Sequence, residues 1–546
     1  MDSRAKELVR IGDGLFAAKS QWDTFCQEVA ENFYPLRADF TKSFTLGDDF
    51  ATGLMDSYPV QASRTLGDAP SAMLRQGNWF EVGVMDEEIG EETDVQKWLE
   101  DTTRKFRKLI YDRRANFVRA TNEADHDWVN FGNPVLSVEE SQNRDHLLFR
   151  SWHPKECAWL ENSAGRIDHL QRSMPMSARK IMGRWGKTAH ADIQHAAKIE
   201  PAKEFNVRHI AIPAEEMYGD DRKAKRENGG MSFVSLYIDC EHEEVLGEGG
   251  LPVFNYVVPR WKTISGYPQG FSPSTVTALP DGRSLQELSR ILIEQGEKAV
   301  DPPVIAKGEL FRDSVNFYAG GLTYADIEGD GKLRDYLEVL NTTGQMNIGL
   351  EMKQDMREMI AESFLLNKLL MPAQREMTAF ETQARLAEFR RAVLPFFGPI
   401  EHEYHLPLLD VAFALAQNSG ALTREEMPES LQETGVTFTF ESPLHTAEGR
   451  EMVQAFQESV QILAGAAQFD QSIPTIVDFK NMTRDAVKGT GAPADWFTDE
   501  EAQKAAADAA EQVQQLNAAA ATLREGAGVG KDIADASVAL KEAGLG

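Results

Sequence analysis

Cysteine is scarce in this chain, with three residues in 546, at positions 26, 157 and 240. An odd number at such wide spacing encodes neither a disulfide framework nor a cysteine-based zinc site, which suits a reducing cytoplasm. Basic charge is also short: 57 Lys and Arg stand against 86 Asp and Glu, a formal net charge of −29. That balance argues against a sequence-specific DNA binder, which carries a basic patch. It is compatible with a surface past which DNA moves, because like charge repels phosphate and prevents sticking. Long hydrophobic runs are missing. None approaches the roughly 20 residues of a membrane-spanning helix, and the first residues show no apolar signal core, so no membrane partner is expected.

Complete catalytic motifs are lacking too. Gly186-Lys187-Thr188 ends like a phosphate-binding loop, but the Gly required five residues before Gly186 is Ile181. His402-Glu403-Tyr404-His405 resembles a zinc-protease helix with one residue too few between the histidines. Asp326, Glu328, Asp330 and Gly331 imitate the start of a calcium loop, but Leu337 stands where its last ligand, a Glu, belongs. His126 lies between Asp125 and Asp127. Adjacent helix positions do not converge, so this trio reads as a solvated helix face. The expectation is no enzymatic activity, no cofactor and no metal. Two readings of other classes stay open: a metal-dependent hydrolase using the His402 and His405 region, and a structural scaffold without a channel.

What is present is ordinary globular composition, 42% hydrophobic and 26% charged, in a chain long enough for several subdomains. Residues 1 to about 75 read as helices, with Leu8, Ile11 and Leu15 on one stripe and Trp22, Phe25, Val29 and Phe33 on another, stopped by Pro35. Two helices follow between 91 and 135, ending in the turn Phe131-Gly132-Asn133-Pro134. Short strands come next, around Val135–Val138, Leu147–Phe149, Ile167–Leu170 and Val234–Ile238, with a hairpin turn at Asn162–Asp168 and an exposed charged loop at Gly219–Gly230. Another strand falls at Val436–Phe440, then helices near 446–467 and 474–488, then an Ala-, Gln- and Glu-rich tail from Thr498.

The chain is organised around Gly266–Ala387. Ser284 and Glu287 have capping-box spacing, so a first helix is expected from about Pro280-Asp281-Gly282, with Leu285, Leu288 and Leu292 on one face and a stop before Pro302-Pro303. A second helix is expected over 346–364, with Ile348, Met352, Met356, Ile360 and Phe364 repeating every four residues and Glu351, Asp355, Glu358 and Glu362 opposite. Pro372 breaks it, and Thr378 with Glu381 signals a third helix.

The run GYPQGFSPSTVTALPDGRSLQ from Gly266 and the run MTAFETQAR from Met377 resemble the head-to-tail connector (portal) family of short-tailed double-stranded DNA bacteriophages. The motif residues are Ala278, Leu279, Pro280 and Asp281, then Met377, Thr378, Ala379 and Glu381. Trp22 with Tyr34-Pro35, Asp56-Ser57 with Trp79-Phe80, Pro259-Arg260 and Ser442-Pro443-Leu444 with Ala447 add shorter matches. The resemblance implies a mainly helical α+β portal fold assembled as a dodecameric ring. Its parts would be a wing (1–280), a first stem helix (281–300), a clip (301–345), a second stem helix (346–364), a channel loop (365–377), a wing-crossing helix and further wing (378–440), and a crown with C-terminal tail (441–546). Leu285, Leu288, Leu292, Met352 and Met356 would pack the stem. Lys368, Leu369, Leu370, Met371 and Arg375 would face DNA. Implied partners are double-stranded DNA, the terminase large subunit, scaffold and major capsid protein, tail adaptor proteins and internal core or ejection proteins. The implied place is the portal vertex of a virion, after assembly in the host bacterial cytoplasm.

Overall fold

The computed structural model describes residues 3–43, 47, 49, 51, 53–90, 92–141, 143–186, 188–219, 229–300, 304–306, 337–339, 346–369, 391, 395–422, 427–431, 435–440, 446–466 and 477–489. Two compact units are present. One comprises 1–83, 102–427 and 436–445; the other comprises 84–101, 428–435 and 446–546.

The first unit opens with helices α1 (Ser3–Ala18), α2 (Ser20–Phe33) and α3 (Tyr58–Met73). The α2 stripe is as its spacing predicts, with Trp22, Val29 and Phe33 buried. The α1 stripe is not. Its buried face is Ala5, Leu8 and Val9, while Ile11 is exposed. Gly12 explains the shift: a Cβ there would fall 2.0 Å from Gln171 Oε1 and 2.5 Å from Arg208 Nη1. The helix is seated on polar sheet side chains, with Gln171 Nε2 donating to the Leu8 carbonyl and Arg208 Nη1 to that of Val9.

That sheet is a five-stranded antiparallel meander, β4 (Cys157–Glu161), β5 (Ile167–Ser177), β6 (Glu204–Pro213), β7 (Phe233–Asp239) and β8 (Glu244–Leu251). The register Val207↔Asp239 through Pro213↔Phe233 places Ile210, Ile212, Val234, Leu236 and Ile238 on the α1 side. Phe205, Val207 and Leu246 lie on the opposite face, under helices α7 (Ala178–Trp185) and α8 (Ala191–Ile199). Strict alternation of this kind is what a sheet covered on both faces needs. The expected turn at Asn162–Asp168 is present, with Gly165 at φ +76°. Lys187 lies outside the described residues. Gly186 caps the end of α7 rather than opening a helix, so the strand–loop–helix setting of a phosphate-binding loop is missing.

Beside it stand β2 (Val135–Glu140), β3 (Leu147–Trp152) and β9 (Tyr256–Val257), in the order β3-β2-β9. Helix α5 (Thr93–Ile110) precedes α6 (Phe117–Phe131), and α6 packs on β3 and α3. Gly132 at φ +75° ends α6, and a Cβ there would fall 2.2 Å from the Phe271 backbone, so only glycine fits this turn.

Asp125 and Asp127 correct the sequence reading. Neither is solvated; both are fully buried. Asp125 holds Arg75 through both guanidinium nitrogens, and Asp127 accepts from Arg37 at 2.8 and 3.1 Å. Two positions apart on a helix point to well-separated directions, so α6 is buried over most of its circumference, and only the strip through Val118, Arg119, Asn122, Glu123 and His126 reaches solvent. His405 Nε2 lies 3.1 Å from Arg75 Nη1, and the ring is buried. Burial, and then the adjacent Arg75 charge, push its imidazole well below the ordinary histidine range. His402 in the same one-turn π-helix, Ile400–His405, is exposed. The two rings therefore do not share a ligand position, and the hydrolase reading loses its geometry.

In the second unit the helices 446–466 and 479–489 pack against one another. They match the expected pair, with the second starting five residues later than its pattern suggests. The expected loop at 219–230 is described only at its ends. The calcium-like run from Asp326, the third helix from Thr378 and the tail from Thr498 lie outside the described residues.

Candidate functional site: the 273–369 helical hairpin

Helix α10 (Pro273–Val300) and helix α11 (Met346–Ser363) pack along one another, and the one-turn helix α12 (Leu366–Leu369) follows. The 346–364 expectation agrees with α11. The start of α10 is a correction. It runs from Pro273 straight through Pro280, so Ser284 and Glu287 lie mid-helix and do not form a capping box. The start is set by Ser272-Pro273. Ser272 Oγ accepts from Thr275 N at 3.3 Å and donates to the Val129 carbonyl, and proline at the first helical position needs no amide partner. Glu287 instead pairs with Arg290.

Burial falls steadily away from the body. Leu285 on α10, Ile360 and Ala361 on α11 and Phe364 just past its end are buried, and Phe364 meets Phe33 of α2 with ring centroids 5.3 Å apart. Leu288, Leu292 and Met356 are half-buried. Further out, Ile291, Ile293, Ile348, Leu350 and Met352 are 41–55% exposed, and Val300 is 88% exposed. The helices approach closely at Gly349, where a Cβ would fall 2.7 Å from Leu292 Cδ2. Of the five expected stem-packing residues, Leu285 is thus already core within one chain, while Met352 stands free on the surface.

A buried carboxylate ties the hairpin to the body. Asp56 accepts from Lys353 Nζ at 2.9 Å, Arg357 Nη2 at 2.8 Å and Tyr58 N at 2.9 Å. Gln286 on α10 closes the same node, accepting from the amides of Met55 and Asp56 and donating to the Asp56 carbonyl at 2.8 Å. Burial raises the Asp56 pKa, but the Lys353, Tyr58 and Arg357 contacts outweigh it and hold the carboxyl below its ordinary range. This node joins α3, α10 and α11 across some 300 residues of sequence. Its only local signal is the Asp-Ser-Tyr-Pro run that starts α3.

The node also fixes the charge of the outer face. Lys353 and Arg357, four residues apart, both turn inward onto Asp56. Glu351, Asp355, Glu358 and Glu362 are all exposed along α11. What remains outside is an acidic stripe. Lys368, on α12 just past this stripe, is exposed, and Leu369 is half-buried. Leu365 enters this turn at φ +57°. Leu370, Met371 and Arg375 lie outside the described residues.

The family profile for "Bacteriophage head to tail connecting protein" matches residues 5–497. The chain belongs to this family. It is 22% identical over 479 residues to the portal protein of Salmonella phage epsilon15, covering 85% of this chain and 83% of that one. Solved structures with some likeness include the virion of a native gene transfer agent particle (TM-score 0.32, 11% identity, 78% of this chain and 91% of that one). Another is the neck of the native particle computed with C12 symmetry (TM-score 0.32, 10% identity, 74% and 86%). These superpositions are loose, and membership in the connector family rests on the sequence matches. The chain is a mixed helical and stranded member of it. Among the described residues no helix is long and apolar enough to cross a membrane.

Proposed function

We propose that this chain is the portal subunit of a bacteriophage virion, one of twelve in a ring whose channel admits, retains and releases double-stranded DNA. The family match over residues 5–497 carries this reading. The hairpin supports it physically. α10 and α11 are anchored to the body at one end and expose apolar side chains at the other, as helices do when a neighbouring copy is to cover them. The acidic stripe on α11 suits a wall that repels phosphate. Within this reading the body is wing, the hairpin is stem, the 301–345 insert is clip and the residues after 441 are crown and tail. The clip and ring surfaces would meet the terminase large subunit, scaffold, major capsid protein, tail adaptors and internal core or ejection proteins. The ring would assemble in the host cytoplasm and reside at the portal vertex. The protein acts by shape and charge, with no catalytic step of its own. Purified protein should form rings in negative-stain images. Monodisperse protein that forms no rings under assembly conditions would overturn the reading, and ATP hydrolysis removed by Lys187→Ala would overturn the non-enzymatic part.

The loop after α11 is assigned to the narrowest part of the channel, where Lys368 and Arg375 reverse the sign of the adjoining acidic stripe. Contacts that exchange readily would steady DNA without arresting it, and Leu369, Leu370 and Met371 would brush the duplex or the neighbouring loop. The double variant Lys368→Ala with Arg375→Ala should give intact rings and procapsids with impaired packaging or retention. Unchanged packaging and retention would exclude the DNA contact, and failed rings would make the residues structural.

A further inference from the structure

Far from the hairpin, on the sheet face covered by α7 and α8, three side chains from two separate segments converge. His190 caps the start of α8, Asp192 lies in its first turn, and His242 lies in the turn between β7 and β8. The two imidazoles stack, with centroids 3.9 Å apart and planes 18° from parallel. Asp192 Oδ2 lies 3.5 Å from His190 Nδ1 and 3.3 Å from His242 Nε2. One ligand atom from each residue lies within 4.8 Å of the other two.

The tautomers make this arrangement unusual. The amide of Asp192 donates to His190 Nδ1 at 3.3 Å, so that nitrogen carries a lone pair. Asp239 is fully buried, and its Oδ2 lies 2.5 Å from His242 Nδ1, while its Oδ1 is held by the Glu241 amide. A buried carboxylate in that position accepts the Nδ1–H hydrogen bond, which in the neutral ring leaves the lone pair on His242 Nε2. The three atoms stand together as potential donors to a cation, with the Asp192 amide at His190 Nδ1 and a proton on His242 Nε2 as its competitors.

We propose that His190 Nδ1, Asp192 Oδ2 and His242 Nε2 bind a first-row divalent transition ion, zinc foremost, which staples the β7–β8 turn to the start of α8. Two imidazoles and one carboxylate are a donor set that suits zinc. With metal–ligand bonds of about 2.0–2.2 Å, neighbouring donors around a tetrahedral ion stand about 3.3–3.5 Å apart. The 3.3 and 3.5 Å separations from Asp192 Oδ2 fall at this spacing, and the stacked imidazoles would turn out of their near-parallel arrangement to aim both lone pairs at one ion. Asp239 is the positioning residue: a carboxylate behind a ligating histidine fixes its tautomer and ring orientation. Access is open, since the Asp192 side chain is 72% exposed and the histidines are 33% and 19% exposed.

The test uses the full-length, chelator-treated protein and cobalt(II) as the probe. Cobalt should bind at one ion per chain with the intense visible bands of four-coordination, and zinc should displace it. His242→Ala and His190→Asn should abolish the bands with unchanged far-UV circular dichroism. The Asn substitution keeps a side chain able to cap α8, so loss there is not loss of the helix. Asp239→Asn should weaken binding about 10- to 100-fold while leaving the bands in place at saturation. Absence of stoichiometric binding at millimolar cobalt would overturn the proposal and leave a proton as the cation. Binding retained in the His190→Asn, His242→Ala double variant would overturn it as well.

Discussion

The body of the first unit and its hairpin solve the same problem in opposite ways. Around α6 the chain pairs the charges it buries. Asp125 meets Arg75, Asp127 meets Arg37, and Trp128 stacks on Trp261 at 5.8 Å and on Tyr404 at 6.2 Å. Along α10 and α11 the packing is complete only near the body. Beyond Leu285 and Ile360 the side chains open progressively to solvent. The difference teaches where this chain is finished and where it awaits a neighbour. Core built from internally paired charge is sensitive to single truncations, because each leaves a buried charge alone. A half-open apolar face is insensitive as a monomer and sensitive in an assembly.

The largest effect should therefore come from the body. Asp125→Ala leaves the Arg75 guanidinium buried without its carboxylate, next to a neutral His405. We expect a loss of about 3–5 kcal/mol, read as a large drop in thermal midpoint or as insoluble protein. A melt within a degree or two of the parent would mean that water reaches this pair.

Leu285→Ala tests the root of the hairpin. Leu285 is fully buried, so the change should cost about 2–5 kcal/mol in chemical denaturation, the range for a core Leu truncation. The same change at Leu292, half-buried further along the face, should cost clearly less. Equal costs at both positions would erase the gradient.

How much of this was legible follows from how local each feature is. Strand β7 was legible because alternation within Val234–Ile238 is a property of five consecutive residues, whereas the order of the meander was not. Helix α11 was legible for the same reason. The start of α10 was misread because Ser284 and Glu287 have capping-box spacing, and the competing Ser272-Pro273 signal lies eleven residues earlier. Pro280 also looked like a boundary, yet tertiary packing carries the helix through it. The Asp125 and Asp127 pairs could not be read, since their partners are 50 and 90 residues away. Asp56 was legible as part of a short family match but not as the anchor of α11. His190, Asp192 and His242 follow no ligand-spacing motif, because the site forms only when β7 and β8 bring residue 242 beside α8. The family itself was legible, since its motifs are short runs at fixed order.

Acid should separate the two regions next. His209 on β6 is buried between Tyr256 and Ser235, with its pKa pushed down to about 3, first by burial and then by the charges of Arg172 and Arg184. Its folded pKa is below its unfolded value of about 6.5. The neutral form therefore contributes stability that is whole above about pH 6.5 and is lost as pH falls toward 3, at up to about 1.4 kcal/mol per pH unit for such a histidine. His405 acts in the same direction. No histidine lies on α10 or α11, so sheet-face amides should lose hydrogen-exchange protection before hairpin amides over this window. His209→Gln, which can keep one hydrogen bond without a titratable ring, should flatten the acid limb. An acid limb unchanged by that substitution would show that other groups set it.

The smallest effect on the folded chain should be at the outer hairpin, and it sharpens the comparison most. Met352 is 46% exposed and Ile348 is 50% exposed, and neither is buried by its own chain. Met352→Ser and Ile348→Ser should therefore shift the denaturation midpoint of unassembled protein by no more than about 0.5 kcal/mol, as surface changes do. In the ring the same residues would be covered by the next copy, and each truncation would recur at every subunit interface. A small loss per contact then accumulates around a closed ring. The expected result is normal monomer stability with rings that dissociate at lower denaturant or lower protein concentration. If both variants leave ring dissociation where it was, the outer face of α11 is not the intersubunit surface. The exposed apolar groups would then need another occupant, with the 301–345 insert between the two helices the nearest candidate in sequence.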